Sequence, residues 1–384
     1  MIDGTFRANP SYELVLGENL SSTERELVGD AQSDNSLYGY LRPHKDSGLQ
    51  WRTVSTDTAL LLLTLAKPGP VPAYIRTHLD GKTATIVTRL VLDGVLEIEH
   101  SGAFHSGPEA IERLLELTDH DLGTIGRLSV AALQYAQTLE GLSQGELAMR
   151  LYCYGRKPLS PSWQNRLPSE EAIGEFLGLG GDKPVQKALD EGWIEDRLRD
   201  QRFWRMWSPR GNRIESNAMG YKLYISPTCN ALPDALLATA TTLARVPGVL
   251  GFKVGRHLHG LCRPDKLVAY FSRLESLHVA AAQLKNRLRG MPPHGVPFTA
   301  EITRDGLLSW GIDPPARQRL VDGPVHGSWR IWIANRLAEY MLAAKGRSDS
   351  GCWQFALDRL RLDGIDTETW VPTSGLWCEQ ETVD

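Results

Sequence analysis

The chain has 384 residues, 42 Lys+Arg against 46 Asp+Glu, a formal charge of −4 and 42% hydrophobic residues. That length suggests two or three domains of ~100–200 residues each, and the apolar share excludes wholesale disorder. No apolar run reaches the ~18–20 residues of a membrane span; no secretory leader is read at the amino end; and Cys153, Cys229, Cys262, Cys352 and Cys378 make no C-x-x-C pair, so a reducing cytoplasm is expected and a disulfide scaffold is not.

In chain order, residues 1–50 are polar and read as a loosely held arm, with one short helix near Ser21-Ser22-Thr23-Glu24. Ser55 caps a helix through Ala59–Leu63, which Lys67-Pro68-Gly69-Pro70 stops. Helices follow from Pro72 to His78 and from Gly81 to Leu92. Asp93-Gly94 turns, Val95–Glu99 alternates, Ser101-Gly102 turns and Ala103-Phe104 returns as a hairpin. Residues 51–108 therefore read as a winged-helix-like subdomain, either a structural one with no ligand of its own or one with Val95–Glu99 as an edge for an added peptide strand. Ser106–Glu109 and Ser143 with Glu146 read as capping boxes within a helical segment, 109–190. From 191 to 350 strands (Tyr221–Ser226, Leu250–Val254, Leu267–Phe271, Phe298–Ile302) alternate with helices (Pro233–Val246, Leu277–Leu288, Ser328–Ala344). Residues 351–384 form an acidic tail carrying Trp353, Trp370 and Trp377. The expected class is α+β, a helical amino-terminal half followed by an α/β domain.

Several motifs fail on context. Gly81-Lys82-Thr83 lacks the Walker A glycine, since Arg76 stands there. Gly141-Leu142-Ser143-Gln144-Gly145 has the letters of a nucleophile elbow, but helical residues precede it where a strand is required. No metal-ligand set is found, and His257 and His259 lack a third partner.

The charge is uneven. From Gly220 to Lys345 there are 16 Lys+Arg against 8 Asp+Glu, leaving 26 against 38 elsewhere. A basic region inside an acidic chain points to a local anionic ligand rather than to nucleic acid or membrane. Its core is Tyr221-Lys222-Leu223-Tyr224-Ile225-Ser226, where a strand turns Lys222, Tyr224 and Ser226 to one face. Lys253 lies in Phe252-Lys253-Val254, Arg256 and Arg263 follow, and Arg330 opens a later helix. A clefted lysine has a depressed pKa and serves as a general base; the same lysine on an edge strand would only guard against aggregation.

This order resembles the phosphothreonine lyases of bacterial type III secretion and the HopA-type effectors. It also resembles the lyase components of lanthipeptide and thioamide-peptide biosynthesis. The likeness covers about a third of the chain, through Lys222-x-Tyr224-x-Ser226, Phe252-Lys253-Val254, Arg263 with Val268-Ala269-Tyr270, and Arg330. It implies a lyase-like domain that eliminates phosphate from phosphoserine or phosphothreonine, without a cofactor. Lys222 would take the Cα proton, Lys253 would stabilise the enolate, and Arg256, Arg263 and Arg330 would bind phosphate. The family has histidine where this chain has Tyr224. Tyr224 therefore acts as the acid, or His257 replaces it, or the site binds without turnover. The implied partners are a ribosomally made precursor peptide and a kinase-like protein. The alternatives are a non-catalytic partner of either, or a secreted effector.

Overall fold

The computed structural model describes residues 4–28, 37–45, 47–79, 83–108, 110, 122–196, 203–210, 220–314, 327–345 and 351–373. The expectations on Asp30–Ser36, Gly81-Lys82, Glu109 and Trp377 lie outside them. The class is mixed α+β. Among the described residues no helix is long and apolar enough to cross a membrane.

The chain divides into two compact units. The first, Met1–Asp119 with Glu339–Asp363, holds two three-stranded antiparallel sheets. Its strands are β1 (Phe6–Ala8), β2 (Tyr12–Val15), β3 (Leu37–Pro43), β4 (Arg52–Ser55), β5 (Leu96–His100) and β6 (Ala103–His105). Three of these, and the helix Ser22–Val28, occupy the stretch read as a loose arm. They are short and only partly buried, so their local apolar signal is weak; β1 is held by β5, far along the chain, and β2 and β3 by each other and by β4. The sequence hairpin forms as β5 and β6, but β5 is a central strand. β1 covers its other edge through Phe6↔Ile98 and Arg7↔Glu97, and Arg7 Nε bonds Glu97 at 2.6 Å. The expected peptide-binding edge at Val95–Glu99 is thus occupied by the chain's own amino-terminal strand.

The second unit, His120–Ala338 with Gly364–Asp384, is built on a seven-stranded sheet. Its strands are β7 (Trp193–Glu195), β8 (Trp204–Pro209), β9 (Tyr221–Ile225), β10 (Val249–Gly255), β11 (Leu267–Phe271), β12 (Ala300–Glu301) and β13 (Leu308–Ile312). The order is β12-β13-β9-β11-β10-β8-β7 and every pairing is antiparallel. The alternation of strands and helices in the sequence therefore does not yield a parallel sheet. Period-two patterning divides the sheet cleanly. Leu223, Ile225, Phe252, Val254, Leu267, Ala269 and Leu308 face one core, shared with Leu236 and Leu243 of helix Leu232–Leu243 and Leu277 and Leu284 of helix Leu274–Arg287. At ~1.5–3 kcal/mol for each large apolar side chain removed from water, this face holds the sheet in place. The opposite face is free to carry polar groups.

Candidate active site

The polar face is set by register. Lys222 lies opposite Tyr270 on one side and Gly311 on the other. Tyr224 lies opposite Val268, and Val268 opposite Lys253. Two glycines keep this row open. Gly311 has no room for a side chain: a Cβ there would stand 2.5 Å from Trp329 Cδ1. Gly251, opposite Tyr270, sits at φ +151° beside an irregularity in β10, and a Cβ would meet Trp207 O at 2.4 Å.

Four cations and three aromatic rings alternate along the site. Lys222 Nζ and Lys253 Nζ each lie 5.5 Å from the Tyr270 ring centre. Lys253 Nζ is 4.2 Å and Arg263 Cζ 5.2 Å from the Trp204 ring. Arg263 Cζ and Arg330 Cζ are 5.2 and 4.8 Å from the Tyr152 ring. Electron-rich ring faces between like charges moderate their repulsion. A carboxylate anchors each end. Asp313 Oδ2 is 2.7 Å from Lys222 Nζ. Asp265 takes Arg263 Nε and Nη2 at 2.7 and 2.8 Å, a bidentate pair, and lies 2.9 Å from Arg330 Nη1. Arg263 Nη2 also donates to Tyr152 Oη at 2.7 Å.

The electrostatics follow from this row. Burial, then the neighbouring Lys222 charge, depresses Lys253 to about 7. Burial opposes charge on Asp265, but Arg263 and Arg330 hold it well below the usual carboxylate range. Burial likewise works against Arg263, and Asp265 more than offsets it, so its basicity rises. Burial, then the Asp313 carboxylate, pushes the Tyr224 and Tyr270 phenols well above their ordinary value. Tyr224 therefore keeps its proton at neutral pH.

The structure brings Lys222, Tyr224, Lys253, Arg263 and Arg330 into one cluster. Arg330 is 1% exposed and donates Nε to Pro297 O at 3.2 Å and Nη2 to Tyr152 O at 2.7 Å. It stands behind Asp265 and gives the site charge and rigidity rather than an open contact. Arg256 and His257 turn elsewhere, to Glu170 at 2.9 and 3.6 Å. Arg256 is an odd number of residues beyond Lys253, and the chain there is leaving β10 for the helix Leu258–Leu261. The expected phosphate contact from Arg256 and the expected substitute acid at His257 are therefore not part of this cluster. Sequence reading missed Asp265, Asp313 and Tyr152. Only Asp265 carried a local sign, an acid set between Arg263 and Lys266. Among the described residues no group of three metal-ligating side chains forms.

No family model matches the chain, and no curated protein matches it. Among solved structures it is similar to an effector protein from Pseudomonas syringae pv. tomato strain DC3000: 15% identity, 65% of this chain and 98% of that one covered, TM-score 0.42. It is similar to a phosphothreonine lyase at 12% identity, with 50% and 87% covered and a TM-score of 0.28. A phosphothreonine lyase effector of Chromobacterium violaceum matches at 15% identity, with 47% and 86% covered and a TM-score of 0.26.

Proposed function

We propose that this chain is a carbon–oxygen lyase that eliminates phosphate from a phosphoserine or phosphothreonine residue of a peptide. The observation that carries the reading is Lys253, set on the Trp204 and Tyr270 rings inside a row of cations that two carboxylates hold in place, where burial and the Lys222 charge lower it to about 7. A base with a pKa near the working pH, next to fixed positive charge, suits removal of a weakly acidic Cα proton beside a phosphate leaving group.

In this reading the two lysines exchange the roles expected from the sequence. Lys222 is bound to Asp313 as an ion pair and serves as the fixed cation for the enolate oxygen. Lys253, with its depressed pKa, removes the Cα proton. The Cα–H pair becomes the Cα=Cβ bond, and the Cβ–O bond breaks with its electrons passing to phosphate. Arg263 holds the phosphate, with Arg330 and Asp265 positioning it. Tyr224 keeps its proton and donates a hydrogen bond at most, so phosphate leaves as the anion.

A substrate of this kind needs a kinase upstream. The precursor peptide and kinase-like partner named from the sequence belong to this proposal. The test is incubation with a phosphothreonine peptide, followed by mass spectrometry. Loss of one phosphoric acid and gain of a dehydroamino acid are expected, abolished by Lys253→Ala. Elimination that survives Lys253→Ala sinks the assignment of the base. Binding without elimination, across peptides phosphorylated by its kinase, favours the non-catalytic reading.

A further inference from the structure

The polar face of the seven-stranded sheet is not buried evenly. Lys222, Tyr224 and Ser226, which end up on one face of β9 and the loop after it, are buried, as is Ser309 on β13. Lys253 on β10, Tyr270 on β11, and Trp204 and Met206 on β8 are half-buried. Among the described residues the row of cations is therefore closed on the side of β9 and β13 and opens toward β8. Met206 lies directly opposite Lys253, and Trp204 opposite Gly255, two positions along the same face. Phosphate elimination gives Trp204 a task, since its ring carries Lys253 and Arg263. It gives Met206 none. Nor does Met206 belong to the core on the other face: alternation sends its neighbour Trp207 there, stacked on Phe252. An apolar side chain thus stands on the open side of a polar face.

The charge of the site decides what Met206 can meet. Opposite residues of an antiparallel pair hold their Cβ atoms ~4.5–5.5 Å apart, so a group resting on Met206 lies beside the Lys253 side chain. A carboxylate there would keep Lys253 protonated, and an ammonium or guanidinium would be repelled by Lys253 and Arg263. An uncharged apolar side chain meets neither penalty. Methionine, unbranched and polarizable, adapts to several such shapes. The spacing suits a peptide. β8 lies ~4.8 Å from β10, and successive Cα atoms of a chain are ~3.8 Å apart. A peptide that runs toward β8 with its phosphorylated residue over Lys253 therefore brings the next residue over Met206.

We propose that Met206 is a specificity-determining residue, which receives an apolar side chain next to the phosphorylated residue and selects peptides that carry one. The inference rests on the reading of the chain as a phosphopeptide lyase, and it narrows the substrate. The phosphoserine or phosphothreonine has an apolar neighbour on the side that crosses β8, and acidic or basic neighbours at that position are disfavoured.

The test uses the full chain and phosphothreonine peptides that carry leucine, glycine, aspartate or lysine in turn, first just before and then just after the phosphothreonine. At one of the two positions kcat/KM should be about tenfold higher for leucine than for glycine, and lower again for aspartate and lysine. Met206→Ala should bring the leucine-to-glycine ratio at that position toward one. Met206→Leu, which keeps the apolar surface, should preserve it. Equal kcat/KM across the set overturns the proposal, as does a ratio that Met206→Ala leaves intact. The same peptides are titrated for binding by fluorescence anisotropy, which separates the two readings. If peptides bind and none is converted, the lyase reading falls while the role of Met206 is decided by affinity. A leucine preference that Met206→Ala removes upholds it; equal or absent binding across the set overturns it.

Discussion

At the scale of the residue, the site turns on which amine a carboxylate holds. Lys222 has Asp313 at 2.7 Å; Lys253 has the faces of Trp204 and Tyr270. A ring face offers a cation less than a carboxylate does, so burial and the Lys222 charge win at Lys253. The depressed value fixes the sign of the pH dependence: the free amine is present above about 7 and protonated below it. Turnover of a phosphopeptide should fall about tenfold per pH unit below that value and level off above it. The substrate's own ionisation near about 6 adds a second acid limb. A rate that declines from pH 6 to pH 9 sinks the role of Lys253. Asp265 is the complementary case. Its folded value is depressed, so its contribution is complete above about pH 4 and lost as pH falls further. Asp265→Asn leaves the buried Arg330 and the half-buried Arg263 without their carboxylate and should cost ~3–5 kcal/mol in urea unfolding.

The sheet decides the matter at the scale of the element. Tyr221–Ile225 was legible because alternation with period two is local: each residue's face follows from its neighbours. Leu250–Val254 was legible for the same reason, and Leu267–Phe271 as a short apolar run bounded by polar residues. β13 was not, although Leu308, Trp310 and Ile312 alternate with Ser309 and Gly311, because a glycine interrupts the run. Its Gly311 reads as a strand breaker in sequence, yet contact with Trp329 requires it. β7 and β8 were hidden in an arginine-rich stretch, although Trp193 packs edge-on to Phe252 at 4.6 Å and Trp207 stacks on it at 5.2 Å. Gly311→Ala should cost ~1–3 kcal/mol through overpacking. It should also reduce turnover, because Trp329 precedes Arg330 in the helix. Gly145→Ala, where an added Cβ meets nothing within 4 Å, is the control and should raise the midpoint of thermal unfolding or leave it unchanged.

For the whole molecule, distant segments of the second unit support the site. Trp370, read from the sequence as part of a docking tail, is 1% exposed and packs edge-on against Phe298 at 5.2 Å. Phe298 holds a left-handed backbone at φ 62°, and its carbonyl accepts Trp329 Nε1 at 2.9 Å. The preceding carbonyl, Pro297 O, accepts Arg330 Nε. Trp370→Ala should therefore cost ~3–5 kcal/mol in thermal or urea unfolding and weaken elimination in the same variant. Full turnover in a destabilised Trp370→Ala protein contradicts the link between this packing and Arg330.

The sequence by itself determined the helix caps at Ser55 and Ser143, the polar face of Tyr221–Ile225, and the concentration of cations after Gly220. All depend on residues within a few positions of one another. Tertiary structure alone decided which cations meet, which lysine a carboxylate holds, and that β1 covers the hairpin edge. Charge state and pairing depend on burial and on partners many residues away, and local patterning carries neither.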